Sequence, residues 1–136
     1  MNRDDLRTLA QTRLKEAESL LQAGLPSGAY YLAGYAVECA LKACVASQTK
    51  QYDFPDKQIV IQSYTHNLNT LIGLAGLRLQ FNQAMGQAEF SANWSTVKDW
   101  SEEARYDTGI SAQMAQDLFE AIAGQHGVLQ WVQQHW

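Results

Sequence analysis

Two charges, Glu38 and Lys42, interrupt the run Ala29 to Ala46 (AYYLAGYAVECALKACVA), which is otherwise apolar, small or phenolic. They stand four apart, in the order that suits an ion pair along a helix. A charge on an otherwise buried helix has to be paired, hydrogen-bonded or open to a cleft, because uncompensated desolvation is costly. In a cleft, Lys42 could meet a phosphate while Glu38 orients a partner. Without a ligand, the same two groups form an internal ion pair completed by Tyr31 or Tyr35, which explains the pattern more simply. His66 precedes another helical segment, where an imidazole can act as acid or base or can staple the helix start. Arg105 and Tyr106 close a corner of the chain. A guanidinium there is suited to a bidentate grip on carboxylate or phosphate. It either joins Glu38 and Tyr106 in a salt-bridged corner or holds an external anion. The candidate ligand set is therefore Tyr31, Glu38, Lys42, His66, Arg105 and Tyr106, with Arg105 the single residue best placed for ligand contact.

The elements that must position these residues are helical. Leu6, Leu9, Ala10, Leu14, Ala17, Leu20 and Leu21 form a stripe of period 3.6, predicting a first helix over residues 4–23, capped by Asn2 or Asp4. Gly24, Pro26 and Gly28 break it, and Ser27 is expected to cap the next helix, which runs to about Ser47. So short a connection makes the two antiparallel neighbours. A helix apolar all round belongs in the middle of a bundle, and Gly34 with the many alanines admits close approach by a neighbour. The face Tyr31, Gly34/Tyr35, Glu38, Leu41/Lys42 carries the charges and two phenols. Residues 48–64 read as a loop whose Ile59-Val60-Ile61 tucks over the core. Thr65 or Asn67 caps a third helix with Leu68, Leu71, Ile72 and Ala75 buried and with Gly73 and Gly76 limiting its length. Residues 77–90 have no clear period. Trp94, Val97 and Trp100 anchor a further helix that ends in the corner, and Asp107-Thr108-Gly109 is a turn. A last helix starts near Ser111 and buries Met114, Ala115, Leu118, Ile122, Leu129 and Val132, with bends at Gly124 and Gly127. No run alternates with period 2. The expected fold is all-α, a single domain over residues 1–136, with four main up-and-down helices and one or two short extra helices between the third and the last.

At 136 residues, 46% apolar and 18% charged, the composition is that of a globular domain with one core. No window holds about 18 uncharged apolar residues, as a membrane span requires, and the N-terminus lacks a signal-peptide layout, so a cytoplasmic protein is expected. The net charge of −4 argues against a broad nucleic-acid surface, which draws its affinity from a basic excess. Cys39 and Cys44 point about 140° apart on one helix and cannot bridge. With no CxxC and no histidine at ligand spacing, neither a zinc site nor any cofactor is expected, and both thiols read as small core residues. His126 and His135 are too far apart along the last helix to share a metal, and Trp131 and Trp136 read as core or dimer contacts.

Three segments carry a resemblance: GAYYLAGYAVECALKA (Gly28 to Ala43), THNL (Thr65 to Leu68) and WSEEARY (Trp100 to Tyr106). Together, in this order, they resemble the HEPN domain family of small prokaryotic helical proteins, whose pattern includes a T-H-x-L at a helix start. The resemblance implies the helical bundle, homodimerisation through apolar helix surface, and frequent pairing with a small, separately encoded nucleotidyltransferase in toxin–antitoxin-like systems. Catalytically active members are metal-independent RNases marked by R-x4-6-H. Here Arg3, Arg7, Arg13, Arg78 and Arg105 have no histidine at that spacing, so the chain departs from the family's RNase pattern. Nor does it contain a Walker loop, dinucleotide-binding turn, zinc-protease motif or nucleotidyltransferase signature. The expected function is a non-catalytic module binding a nucleotide or other anion. One alternative is an RNase in which His66 deprotonates a ribose 2′-hydroxyl and Arg105 stabilises the phosphorane, the two meeting in space although remote in sequence. The other is a scaffold acting by protein–protein contact alone.

Overall fold

A computed structural model describes residues 1–49 and 53–136, and among them there is helix but no strand. Helix α1 (Arg3–Gln22) starts where the side chain of Asn2 accepts from the Asp5 amide at 2.8 Å and the Asp5 carboxylate accepts from the Asn2 amide at 3.1 Å. This reciprocal cap satisfies two otherwise orphaned amides. At the other end Gly24, at φ +76°, turns the chain, and the Leu25 amide donates to the Leu20 carbonyl at 2.9 Å. Helix α2 (Pro26–Ser47) begins on a proline, whose missing N–H is no loss in a first turn. Its preceding residue Leu25 provides no side-chain cap. Ser27, expected to cap, lies inside the helix instead.

Helix α2 is the centre of the molecule. Twelve of its 22 residues are buried, and it packs against α1 and every later element that shapes the site. Its small residues, Ala33, Ala36, Ala40 and Ala43 among them, are fully buried and allow these neighbours to close in on several sides.

Residues expected to form a loop contain a short helix, α3 (Lys57–Gln62), capped by the Asp56 carboxylate accepting from the Gln58 and Ile59 amides at 2.8 and 3.2 Å. Ile59 packs on the core, whereas Val60 and Ile61 stay exposed, so one residue of the expected three tucks in. Helix α4 (Leu68–Leu74) is capped by Asn67, which accepts from the Thr70 amide at 2.9 Å. The stretch without a readable period forms α5 (Arg78–Ala84) and the start of α6 (Ala88–Val97). Phe81 holds these together, meeting Phe90 and Trp94 edge-on at 6.1 and 5.0 Å, each such pair contributing about 1 kcal/mol beyond burial. Trp100 lies beyond α6 and leads into a 3-10 corner, Glu102–Tyr106.

The last helix is two. Helix α7 (Ala112–Ala123), capped by Ser111, stops at Gly124, and α8 (Val128–Gln133) follows after a turn in which His126 takes φ +56°. The Asn93 amide pins that turn by donating to the carbonyls of His126 at 2.9 Å and Gln125 at 3.4 Å. Leu118, Ile122, Leu129 and Val132 are buried as expected, while Met114 is 45% exposed on the outer side of α7. Among the described residues no helix is long and apolar enough to cross a membrane.

Candidate polar site on the central helix

Glu38 is 1% exposed, the one charged residue found buried among those described. Its carboxylate receives two partners. Lys42, one turn on, places Nζ 3.2 Å from Oε2. His66 places Nδ1 3.0 Å from both oxygens. The histidine comes from the turn before α4, where Thr65 Oγ1 accepts from the Asn67 amide at 3.1 Å and Asn67 then caps the helix. That double turn fixes the backbone from which the imidazole reaches back onto α2. Because a carboxylate only accepts, Nδ1 is the ring atom that carries the hydrogen in this bond. Among the described residues Nε2 has no partner, and the His66 side chain is 44% exposed against 21% for Lys42 and 2% for Glu38. One deeply buried anion is thus held by two cationic or donor groups that remain open to water.

Two turns toward the start of α2, the same face becomes aromatic. Tyr31 stacks on Tyr35 at 5.9 Å and on Trp100 at 6.3 Å. Trp100 lies directly over Gly34. A methyl group on Gly34 would fall well inside 3.0 Å of indole Cε2, Nε1 and Cδ2, so only a glycine leaves room for the ring. The indole Nε1 is buried with no hydrogen-bond partner among the described residues, and packing alone holds it. Tyr35 has its phenol pKa pushed upward by burial first, then by Cys39 and Glu38. Burial raises the Cys39 thiol to about 11, reinforced by Glu38, and burial raises Cys44 to about 11 as well. Both cysteines are buried and free.

Arg105 stands at the exposed end of this face. Its guanidinium carbon lies 4.8 Å from the Tyr106 ring centre. The phenol of Tyr106, and after it that of Tyr31, faces the guanidinium and holds its pKa above the ordinary value. The salt-bridged corner of Glu38, Arg105 and Tyr106 does not form. Among the described residues Arg105 has no acidic partner, and Glu38 is satisfied by Lys42 and His66. The geometric reason is the length of α2. Tyr31 and Glu38 are seven residues apart, which is about 10 Å along a helix axis. The structure therefore gathers the expected residues into two adjoining groups, Glu38–Lys42–His66 and Tyr31–Arg105–Tyr106, with Tyr35 between them. Sequence reasoning had no role for Trp100 beyond that of an anchor. The signal was present in Gly34, a mid-helix glycine flanked by tyrosines.

A family model described as HEPN domain matches residues 4–135, nearly the whole chain. No curated protein and no solved structure matches it.

Proposed function

The chain belongs to the HEPN domain family, and on that premise we propose that it is a non-catalytic binding module whose polar α2 face takes a nucleotide or another phosphate-bearing anion. The observation that carries this reading is Arg105, exposed and without an acidic partner among the described residues, beside the phenols of Tyr31 and Tyr106. A guanidinium offers the planar donor fork that phosphate accepts, and two phenols beside it can stack or hydrogen-bond a base or sugar. Lys42, already steered by Glu38, supplies a second positive group further along the face. On this reading a separate nucleotidyltransferase chain is the partner, as in toxin–antitoxin-like pairs, α1, α2, α4 and α7 form the up-and-down set of the bundle, and the protein acts as a homodimer. Phe54, Val60, Ile61 and Tyr64, all exposed around α3, support self-association through that apolar surface. Light scattering at micromolar concentration should give twice the chain mass, and a monomer would remove the dimer from the proposal.

The test of the anion site is thermal stabilisation by ATP and by inorganic phosphate. Arg105→Ala, an exposed substitution that should leave the fold intact, is expected to abolish the shift. An unchanged shift would exclude Arg105 from the site.

One observation favours a second reading, the metal-independent RNase. Glu38 orients His66 through Nδ1 and leaves Nε2 without a partner among the described residues on a side chain that is partly exposed, as an acid–base imidazole requires. Against it, Arg105 belongs to the group about 10 Å further along α2. Labelled total RNA incubated with the protein in EDTA distinguishes the two. Cleavage lost in both His66→Ala and Arg105→Ala would replace the binding module with the enzyme.

A further inference from the structure

On another part of the molecule, a cavity of about 540 Å³ opens between α5, the start of α6, the α7–α8 turn and α8. It shares no residue with the Glu38 face. Its walls are unusual in kind: Gln80, Gln83, Gln87, Gln125, Gln130 and Gln134 all line it, and no Lys, Arg, Asp or Glu does. Phe90 and Trp131, packed 5.4 Å apart, lie beneath. His126 and His135 complete the lining.

Three further features suggest a built site. First, the side-chain amide oxygen of Gln80, Oε1, is buried with no hydrogen-bond partner among the described residues. A buried acceptor left unpaired costs about 1–3 kcal/mol, and a turn of this amide from the cavity wall toward a ligand donor would remove that cost. Second, His126 holds a left-handed backbone, φ +56°, which an L side chain other than Gly or Asn adopts only at a cost of about 1–2 kcal/mol. The Asn93 amide secures that turn through the carbonyls on both sides, so the imidazole is kept at the cavity where a glycine would have been easier. Third, the His135 ring meets Trp131 edge-on at 5.2 Å and is held in place by it.

We propose that this cavity is a binding site for an uncharged nucleobase ligand, a nucleoside rather than a nucleotide. Primary amides present a donor and an acceptor side by side and pair bidentately with the edge of a base, as glutamine does with adenine. Imidazoles and aromatic rings supply flat surfaces against which a base stacks. The volume lies in the range of small-molecule pockets, about 300–1,000 Å³. A phosphate would enter with no lysine or arginine to meet it, so the charged form is discriminated against by the absence of compensation. This site is separate from the phosphate-binding face and stands or falls independently of it.

Titration calorimetry in excess inorganic phosphate, which occupies the α2 face, with adenosine, guanosine, cytidine and uridine, each beside its 5′-monophosphate, tests the assignment. At least one nucleoside should bind saturably in the submillimolar range, with its monophosphate at least tenfold weaker. Gln80→Leu should weaken that nucleoside at least tenfold, since the pairing acceptor is gone. His126→Gly relieves the backbone and removes only the ring, so it stays folded and should also bind severalfold more weakly. Because inorganic phosphate fills the α2 face throughout, failure here is distinguished from failure at that face. Absence of nucleoside binding up to millimolar concentration, equal binding of the monophosphates, or wild-type affinity in both cavity variants would each overturn the proposal.

Discussion

Replacing Gly34 by alanine should destabilise the protein, although alanine is the better helix former. In an exposed helix interior the exchange stabilises by about 1 kcal/mol. Here the new methyl would overlap three atoms of the Trp100 indole, which must retreat by about an ångström to reach ordinary contact. The ring has nowhere to go: Trp100 is 3% exposed and leans on Tyr31. Overpacking of this kind typically costs about 1–3 kcal/mol, occasionally more. Overlap with three ring atoms puts the cost at the upper end, about 3 kcal/mol, so with the propensity gain subtracted a net loss near 2 kcal/mol is expected, which for a chain of this size lowers Tm by about 5–10 °C. The reasoning makes a sharper claim through a double-mutant cycle. Trp100→Leu is itself destabilising, by about 2–4 kcal/mol, but it vacates the space above residue 34. In that background Gly34→Ala should become neutral or stabilising by up to about 1 kcal/mol, giving a coupling of about 2–3 kcal/mol. Urea unfolding of the four proteins measures it. If Gly34→Ala stabilises both backgrounds alike, the indole does not press on α2 and the close-approach argument is wrong.

The Glu38 group should be asymmetric. Removing the buried carboxylate, Glu38→Gln, lets Lys42 and His66 return to water and should cost about 1–2 kcal/mol. Removing both partners, Lys42→Met with His66→Phe, strands a buried anion and should cost about 3–5 kcal/mol by urea unfolding; equal costs would contradict the burial pattern. The two thiols give a pH dependence. An acid whose folded pKa is raised binds more protons folded than unfolded, so stability is retained below the unfolded value of 9.0 and declines as pH climbs toward the folded value of about 11. Cys39→Ala/Cys44→Ala should flatten the fall between pH 9 and 11, and a fall of undiminished slope would assign it to other groups.

The long elements were legible because periodicity accumulates. Seven apolar positions over five turns fix α1, and an uninterrupted run of small and apolar residues places α2 at the centre. Capping chemistry was readable at Asn2 and Asn67, each one of two expected candidates, where one short polar side chain determines the start. Ser27 misled because Pro26 had already begun the helix. Between residues 77 and 97 two helices of seven and ten residues present too few core positions each for a stripe to stand out, and their aromatic anchoring by Phe81, Phe90 and Trp94 is tertiary. The division of the last helix was legible in Gly124 and Gly127, where α7 stops and α8 begins, but the Asn93 side chain that pins the turn lies some thirty residues away in sequence, and no local pattern encodes that contact. At the site, the Glu38–Lys42 pair follows from spacing within one helix. The grip of His66 on the same carboxylate, and the distance that keeps Arg105 from it, depend on how separate elements pack.

The depth of Glu38 also sets how the molecule responds to ionic strength. Mobile ions screen charges that they can approach, and at 0.15 M salt an exposed pair is weakened over about 8 Å. The pairs on α1, Arg3–Asp4, Arg7–Asp4 and Arg13–Glu16, are partly or largely open to solvent and fall in that class. The carboxylate of Glu38 does not, since counterions cannot reach it. The tie between α2 and the turn before α4 is therefore weakened far less by concentrated salt than the outer pairs are.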